Sequence, residues 1–220
     1  MKIVGLIPFW LSKGKHVDLR KLAGRYLINY SADLLVSSNL MDDVVVYSSS
    51  DEVLNFIDNK LDVSYKKRSK ILDNDNISTE QIIEDFISNY EADIVVLLHP
   101  SCPFIHVSTV NDCIESIRCG KFDSALTVVE FQKYAWSNEV PVNFNNKNKY
   151  SVKLKSLDKI LIEKGLMYVI EKNSFLNRTR RIGDNPYMKV INSYEGLEVN
   201  SNKDFEVAEL IVNSGMFCGV

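Results

Sequence analysis

The sequence predicts an α/β fold, a mostly parallel sheet covered by helices on both faces, and three observations carry that expectation. Apolar runs rich in β-branched residues, such as Val44–Tyr47 and Ile94–Leu98, lack alternation, as suits strands buried on both faces. Between such runs, apolar residues recur at helical spacing, as at Ile82, Ile83, Phe86, Ile87 and Tyr90. The two patterns alternate along the chain, the order that builds a parallel sheet.

At 220 residues the chain fits one large domain spanning 1–220 better than two small ones with thin cores. Its 45% hydrophobic and 25% charged residues exclude disorder, collagen and coiled coil together. A net charge of -3 gives no general attraction to a polyanion, so nucleic acid is not an expected partner. Cys102, Cys113, Cys119 and Cys218 form no C-x-x-C pair and have no histidines at zinc-finger spacing, which suits a reducing cytoplasm. No stretch reaches the roughly 18 to 20 apolar residues that span a bilayer. Ile3 to Trp10 is short and broken by Pro8, so the mature chain is expected to start at Met1 and to stay off the membrane.

Lys2–Ile7, closed by Pro8, reads as the first strand. Apolar residues at Leu19, Leu22, Ala23, Leu27, Ile28, Ala32, Leu35 and Val36 predict the first helix, with Asp18 placed to cap it. Val44–Tyr47 is a second strand, and Ser50-Asp51-Glu52 opens a short helix. The run Lys66 to Lys70 reads as a solvated basic turn. Ser78-Thr79-Glu80-Gln81 has the form of a capping box ahead of the next helix. Ile94–Leu98 is the clearest strand and stops at His99-Pro100-Ser101-Cys102-Pro103, where two prolines end regular structure. Val107–Arg118 predicts a helix and Ser124–Val129 a strand. From Phe131 to Ser156 the pattern breaks: Trp136, Pro141 and an Asn/Lys-rich tip predict an inserted β-hairpin arm. Strands at Leu166–Ile170 and Met188–Ile191 and a helix at Asp204–Val212 complete the order.

In an open parallel sheet, ligands bind beyond the carboxyl ends of the strands, where strand order reverses. The loop after the first strand carries Ser12-Lys13-Gly14-Lys15, two cations and a flexible glycine ahead of a helix N-terminus, a setting that favours anions such as a triphosphate. A solvated lysine-rich loop explains the same letters, since neither a Walker pattern nor G-x-G-x-x-G is present. His99 ends the central strand within reach of a ligand on the sheet edge, or simply bonds a backbone group. Cys102 with His99 as a nucleophile pair has no supporting local signature. Glu198 and Asn200 share one side of an extended segment and could meet one Mg²⁺, with phosphate and water completing its shell; an ordinary loop leading into a helix fits as well.

Taken in order, these segments resemble the acylneuraminate cytidylyltransferase family, which makes CMP-activated sialic acids and related sugar acids, including the CMP-Kdo branch. Ile7-Pro8, Ser12-Lys13-Gly14, Leu22-Ala23-Gly24 and Leu27-Ile28 look like its opening strand, triphosphate loop and first helix. Arg68, Leu72, Asp75, Ser78 and Thr79 fall at the spacing of its R-P-x-x-L-x-x-D-x-x-S-T segment. Val95 to Pro103 looks like its V-V-L-L-Q-P-T-S-P strand and loop, and Val128-Val129-Glu130 with Trp136 like its next strand. Gly165 to Val169 and Glu198 to Glu209 complete a match over nearly the whole chain.

The resemblance implies a single Rossmann-like domain whose arm, roughly 131–156, pairs two protomers into a homodimer. It implies transfer of CMP from CTP to a hydroxyl of a sialic-acid-like or other acidic sugar, with pyrophosphate released, for surface glycan biosynthesis. Lys13, assisted by Lys15, is then the catalytic cation on the phosphates, within a nucleotide loop of Ser12, Lys13 and Gly14. Arg68 and Ser78 read the base, His99 and Ser101 line the ribose and acceptor pocket, and Glu198 and Asn200 hold Mg²⁺. The chain also departs from the family pattern. Trp10 stands where the family carries an Arg, and the loop is about two residues shorter. His99 replaces a Gln, Ile105 an Arg, and Glu198 and Asn200 stand where the family has two Asp. These departures leave open two alternatives: a catalytically degenerate homologue that binds a nucleotide or dimerises as a regulatory or structural protein, and a transferase using another nucleotide.

Overall fold

The structure is a computed structural model that describes residues 1–11 and 19–215. In chain order the strands are β1 (Ile3–Phe9), β2 (Lys21–Leu22), β3 (Arg25–Tyr26), β4 (Asp43–Ser48), β5 (Ser64–Lys67), β6 (Ile94–Leu98), β7 (Ser124–Phe131), β8 (Trp136–Ser137), β9 (Val140–Pro141), β10 (Ile160–Glu171) and β11 (Pro186–Ile191). The α-helices are α1 (Leu27–Val36), α2 (Thr79–Asn89), α3 (Val107–Arg118), α4 (Lys172–Arg178) and α5 (Asn202–Asn213). Seven strands form one sheet in the order β11-β7-β10-β6-β1-β4-β5. Its pairs are parallel except around β10, which runs antiparallel to β6 and β7. The result is a Rossmann-like sheet with helices on both faces.

The continuous apolar runs are explained by that double cover. Along β1, Ile3, Ile7 and Phe9 enter a core with α1 and α3, which supply Ile28, Ala32, Leu35, Val110, Cys113 and Ile114. Val4 and Leu6 enter a second core with Ile82, Ile83 and Phe86 of α2 and Phe175 of α4. Alternate residues of one apolar strand thus serve opposite cores. A third cluster seats Phe205, Ala208 and Ile211 of α5 against Leu22, Leu27, Phe104 and Val199. None of the helices described is long and apolar enough to cross a membrane.

Several boundaries differ from the expectations above. The helix predicted from Leu19 begins at Leu27, because Ala23 (φ 47°) and Gly24 (φ 83°) close a tight β2–β3 hairpin ahead of it. Leu22, read as part of the helical stripe, instead packs under α5, and Asp18 lies outside the described residues. The short helix after Ser50 is a 3₁₀ segment, Asp51–Phe56, capped by the Ser50 hydroxyl. Lys66 and Lys67 belong to the edge strand β5 rather than to a turn, and Arg68 turns inward. The strand expected at Leu166–Ile170 is the second half of a twelve-residue β10, broken by a register shift between Glu163 and Tyr168. Gly165 sits in that irregularity at φ 68°, a conformation that a side chain would strain. The hairpin of the arm is present as β8–β9, with β7 and β10 as its stem.

Candidate active site

Strand order fixes where a ligand can enter. From β1 the chain steps outward to β4 and β5, then returns to lay β6 on the opposite side of β1. The switch point therefore lies between β1 and β6, and the loops after these two strands border one crevice. Ser12, Lys13, Gly14 and Lys15, the expected triphosphate and catalytic residues, lie outside the described residues.

At the ends of β1, β4 and β5 the structure gathers a polar cluster around Arg68. Its amide donates to the carbonyl of Ser48 at 3.0 Å, tying it to the end of β4, and its side chain is fully buried. Nη2 donates to the Phe9 carbonyl at 3.2 Å and to Asp73 Oδ1 at 2.7 Å. Asp73 also accepts from the Ser49 hydroxyl at 2.5 Å. The indole of Trp10 lies against the guanidinium, 4.5 Å from Cζ to the ring centre, and its N–H donates to Leu72 O at 3.3 Å. Among the described residues, Nε and Nη1 of Arg68 are buried with no hydrogen-bond partner. Burial lowers the pKa of the guanidinium, and the Asp73 carboxylate opposes that shift. A buried cation with unspent donors is costly unless something supplies acceptors.

Ser78 stands at the start of α2, where its hydroxyl accepts from Gln81 N at 3.3 Å and its own amide donates to Gln81 Oε1 at 2.9 Å. The capping box is formed as its sequence suggested, and the Ser78 oxygen serves it.

Across the crevice, the loop after β6 is held tightly. The His99 amide donates to Leu166 O at 3.2 Å, and the His99 carbonyl accepts from Ser31 Oγ at 3.1 Å and from the Cys102 amide at 3.2 Å. Burial first, and then the positive charge of Arg181, push the His99 imidazole down to about 4. It is therefore neutral at pH 7, able to donate from one nitrogen and accept at the other. Ser101 is buried, and its carbonyl accepts from Val199 N at 2.9 Å. That bond brings Glu198 and Asn200 against this loop.

Asn200 is exposed, and its amide donates to Asp204 Oδ2 at 3.3 Å. Asp204 completes the capping box that Ser201 opens at the start of α5, and hydrogen bonds from Ser201, with smaller help from Lys164, hold its carboxyl below the usual range. No group of three His, Cys, Asp or Glu suited to a metal occurs among the described residues. A carboxylate and an amide oxygen still fit Mg²⁺, which keeps most of its shell for water and phosphate.

A further cluster has no short sequence motif. Arg181 lies over the Tyr168 ring, 4.9 Å from Cζ to its centre, pairs with Glu80 at the start of α2, and approaches Glu163 at 3.7 Å. The Tyr168 hydroxyl donates to Glu163. Burial and that carboxylate raise the phenol to about 12, so it stays protonated. Arg181 Nε is buried with no hydrogen-bond partner among the described residues. The arginine-rich stretch 178–181 was the only sequence signal for this cluster, and it gives no hint of Glu80 or Glu163.

Comparison with known proteins agrees with this fold. Among solved structures, the chain is similar to CMP:2-keto-3-deoxy-manno-octonic acid synthetase complexed with CTP, with a TM-score of 0.75 and 13% identity over 98% of this chain and 100% of that one. It is also similar to 4-diphosphocytidyl-2C-methyl-D-erythritol synthase from Anaerococcus prevotii DSM 20548, with a TM-score of 0.63 and 12% identity over 96% of each chain. At such identities the likeness establishes the fold. Membership rests on the sequence itself: a family model described as cytidylyltransferase matches residues 13–190, so the chain belongs to the cytidylyltransferase family of CTP-dependent nucleotidyltransferases.

Proposed function

We propose that the protein transfers the cytidylyl group of CTP to a hydroxyl of an acidic sugar of the sialic acid or Kdo type, for surface glycan assembly. The observation that carries the base assignment is Arg68, whose Nε and Nη1 are buried, unspent donors beside the switch-point crevice. Cytosine presents acceptors at O2 and N3, either of which one such donor suits. His99 and Ser101 line the ribose and acceptor side of this reading, and Ser78 supports the base side from the cap of α2. The acidic acceptor is supported by the fold shared with the CMP:2-keto-3-deoxy-manno-octonic acid synthetase.

In the reaction the acceptor oxygen bonds to the α-phosphorus, the bond from that phosphorus to the β-phosphate bridging oxygen breaks, and the acceptor proton is released. Pyrophosphate leaves. The chain's task is in-line positioning and fixed positive charge where the leaving group gains negative charge. Lys13, with Lys15 beside it, supplies that charge in this reading, from a loop that also contains Ser12 and Gly14. Glu198 and Asn200 would hold Mg²⁺, which when bound neutralises phosphate charge.

Residues 1–220 act here as one nucleotide-binding unit. A homodimer through the arm, roughly 131–156, is part of the same proposal, supported by exposed Trp136, Val140 and Val142 on the arm and by Leu161 and Ile162 on its stem. Work in the cytoplasm is part of the same proposal, and the exposed free cysteine Cys119 fits it.

The test is a thermal titration with CTP, ATP, GTP and UTP, with and without Mg²⁺, followed by pyrophosphate release with candidate sugar acids. A CTP-selective rise in Tm that grows with Mg²⁺ is expected, because a ligand of the folded state stabilises it by mass action. No shift with any nucleotide at millimolar concentration would overturn the proposal.

A further inference from the structure

We infer that Glu195 is a positioning residue for metal-assisted nucleotide binding: by capping α3 from 89 residues away, it clamps the loop after β6 against the segment that carries Glu198 and Asn200. The inference rests on the reading of Glu198 and Asn200 as the metal pair.

Helix α3 carries no side-chain cap of its own. Its N-cap residue is His106, whose side chain makes no capping bond, and its first turn holds no acidic residue. At the third helical position, where a capping box would place Glu or Gln, stands Thr109. Glu195 fills that role from a distant segment. Its Oε1 accepts from the His106 amide at 3.1 Å and from the Thr109 hydroxyl, and the residue is only 6% exposed. A carboxylate there also meets the positive end of the helix dipole.

The same short segment is held at two further points. A Cβ on Gly196 would stand 2.7 Å from Val129 Cγ2, so the backbone lies directly on β7. Val199 donates to Ser101 O at 2.9 Å and is buried against α5. Loop and segment therefore run antiparallel, with Ser101 against Val199 and His106 against Glu195. One contact alone would leave a hinge between them. Two contacts fix both spacing and angle. In the proposed site the loop carries His99 and Ser101 and the segment carries Glu198 and Asn200, so this spacing sets how the metal pair stands to the ribose side. Mg²⁺ tolerates little error there, since it demands near-ideal octahedral geometry. A purely structural cap would lower stability and leave the metal response alone.

Calorimetry should give the CTP dissociation constant with EDTA and at saturating Mg²⁺, the ratio being the gain from the metal. The unaltered full chain is compared with Glu195→Asp, Glu195→Gln and Ile117→Ala, with Tm recorded for each. Glu195→Asp keeps the charge but has a shorter reach, and the gain should fall about fivefold. Glu195→Gln keeps the reach and an oxygen for both donors, so the gain should stay within about twofold while Tm falls with the lost charge. Ile117→Ala opens the core under the last turn of α3, away from the cap, and should lower Tm with the gain unchanged. A gain kept in Glu195→Asp, an equal fall in Glu195→Gln, or a similar fall in Ile117→Ala overturns the role of Glu195. Should Glu195→Asp not fold, Thr109→Val decides, because it removes one of the two donors at nearly constant shape: a fall beyond about twofold supports the inference, and a smaller one overturns it. Failure of the underlying reading looks different. The unaltered protein would then gain nothing from Mg²⁺, or Glu198→Gln would keep the full gain, and the inference falls with that reading.

Discussion

The amide of Val199 donates to the carbonyl of Ser101 at 2.9 Å, and this bond joins two segments almost a hundred residues apart in the chain. Val199 is fully buried against α5 and Phe104, so the segment is anchored by its middle residue while its neighbours flank it. In the proposed reading those neighbours, Glu198 and Asn200, turn their oxygens to one side. Packing at Val199 would then align two oxygen-bearing side chains beside the loop that starts at His99.

That alignment predicts a metal response. Restoring a second carboxylate with Asn200→Asp should lower the Mg²⁺ concentration needed for half-maximal pyrophosphate release by several-fold, since it adds a full charge to the shell. Glu198→Gln should raise that concentration and lower turnover by about a hundredfold. A Mg²⁺ titration of pyrophosphate release checks both. Unchanged midpoints in the two variants would remove this pair from the metal site.

The Arg68–Asp73 pair predicts a stability effect. The Arg68 side chain is buried and Asp73 is only slightly exposed, at 2.7 Å. Asp73→Asn leaves the guanidinium charged and buried with only the weaker attraction of Asp85, which should cost on the order of 3 kcal/mol. Urea unfolding followed by far-UV circular dichroism measures it, as a lower midpoint at unchanged slope. A loss below about 0.5 kcal/mol would mean that water already screens the pair.

Lys13→Ala tests the expected phosphate cation, which lies outside the described residues. The change should reduce turnover by about a hundredfold or more, as removal of a charge that stabilises a transition state does, while Tm moves little. Single-turnover release of pyrophosphate separates chemistry from product release. Undiminished release would take Lys13 out of the mechanism.

What could be read in the sequence follows the range of the interactions involved. The capping box at Ser78 and Gln81 is a contact over three residues, and α2 begins where those letters place it. The Val107–Arg118 helix was legible for the same reason, as an uninterrupted local period. Leu19, Leu22 and Ala23 misled because a chance helical spacing overlapped a hairpin whose turn needs two left-handed residues, and Ala23 is an unusual choice for one. Strand β5 is a short, half-exposed edge with two lysines, so it has no apolar run to betray it. Within the site, Arg68 was visible through family spacing. Its burial was not, because that depends on Phe9 and Trp10 arriving from the end of β1, almost sixty residues away. Arg181 and Glu80 meet across 101 residues, and only the folded sheet brings them together.

His99 predicts a pH dependence whose sign is fixed by the direction of its shift. In the unfolded chain its imidazole titrates near the ordinary 6.5, and in the fold at about 4. Between those values the unfolded state binds the extra proton, so this residue's contribution to stability is fully present above about pH 6.5. It is lost as pH falls toward 4, at about 1 kcal/mol per pH unit. His99→Gln keeps a side chain that can donate and accept but removes the titration. The slope of Tm against pH between 6.5 and 4.5 should therefore be shallower in the variant, with both proteins still sharing the slope contributed by their carboxylates. The same neutral imidazole predicts that pyrophosphate release at saturating CTP keeps its pH profile between 5.5 and 8 in His99→Gln, because His99 does not change charge there. A lost limb near pH 6.5 in the variant would show instead that His99 titrates in the nucleotide complex, with bound phosphate charge raising its pKa.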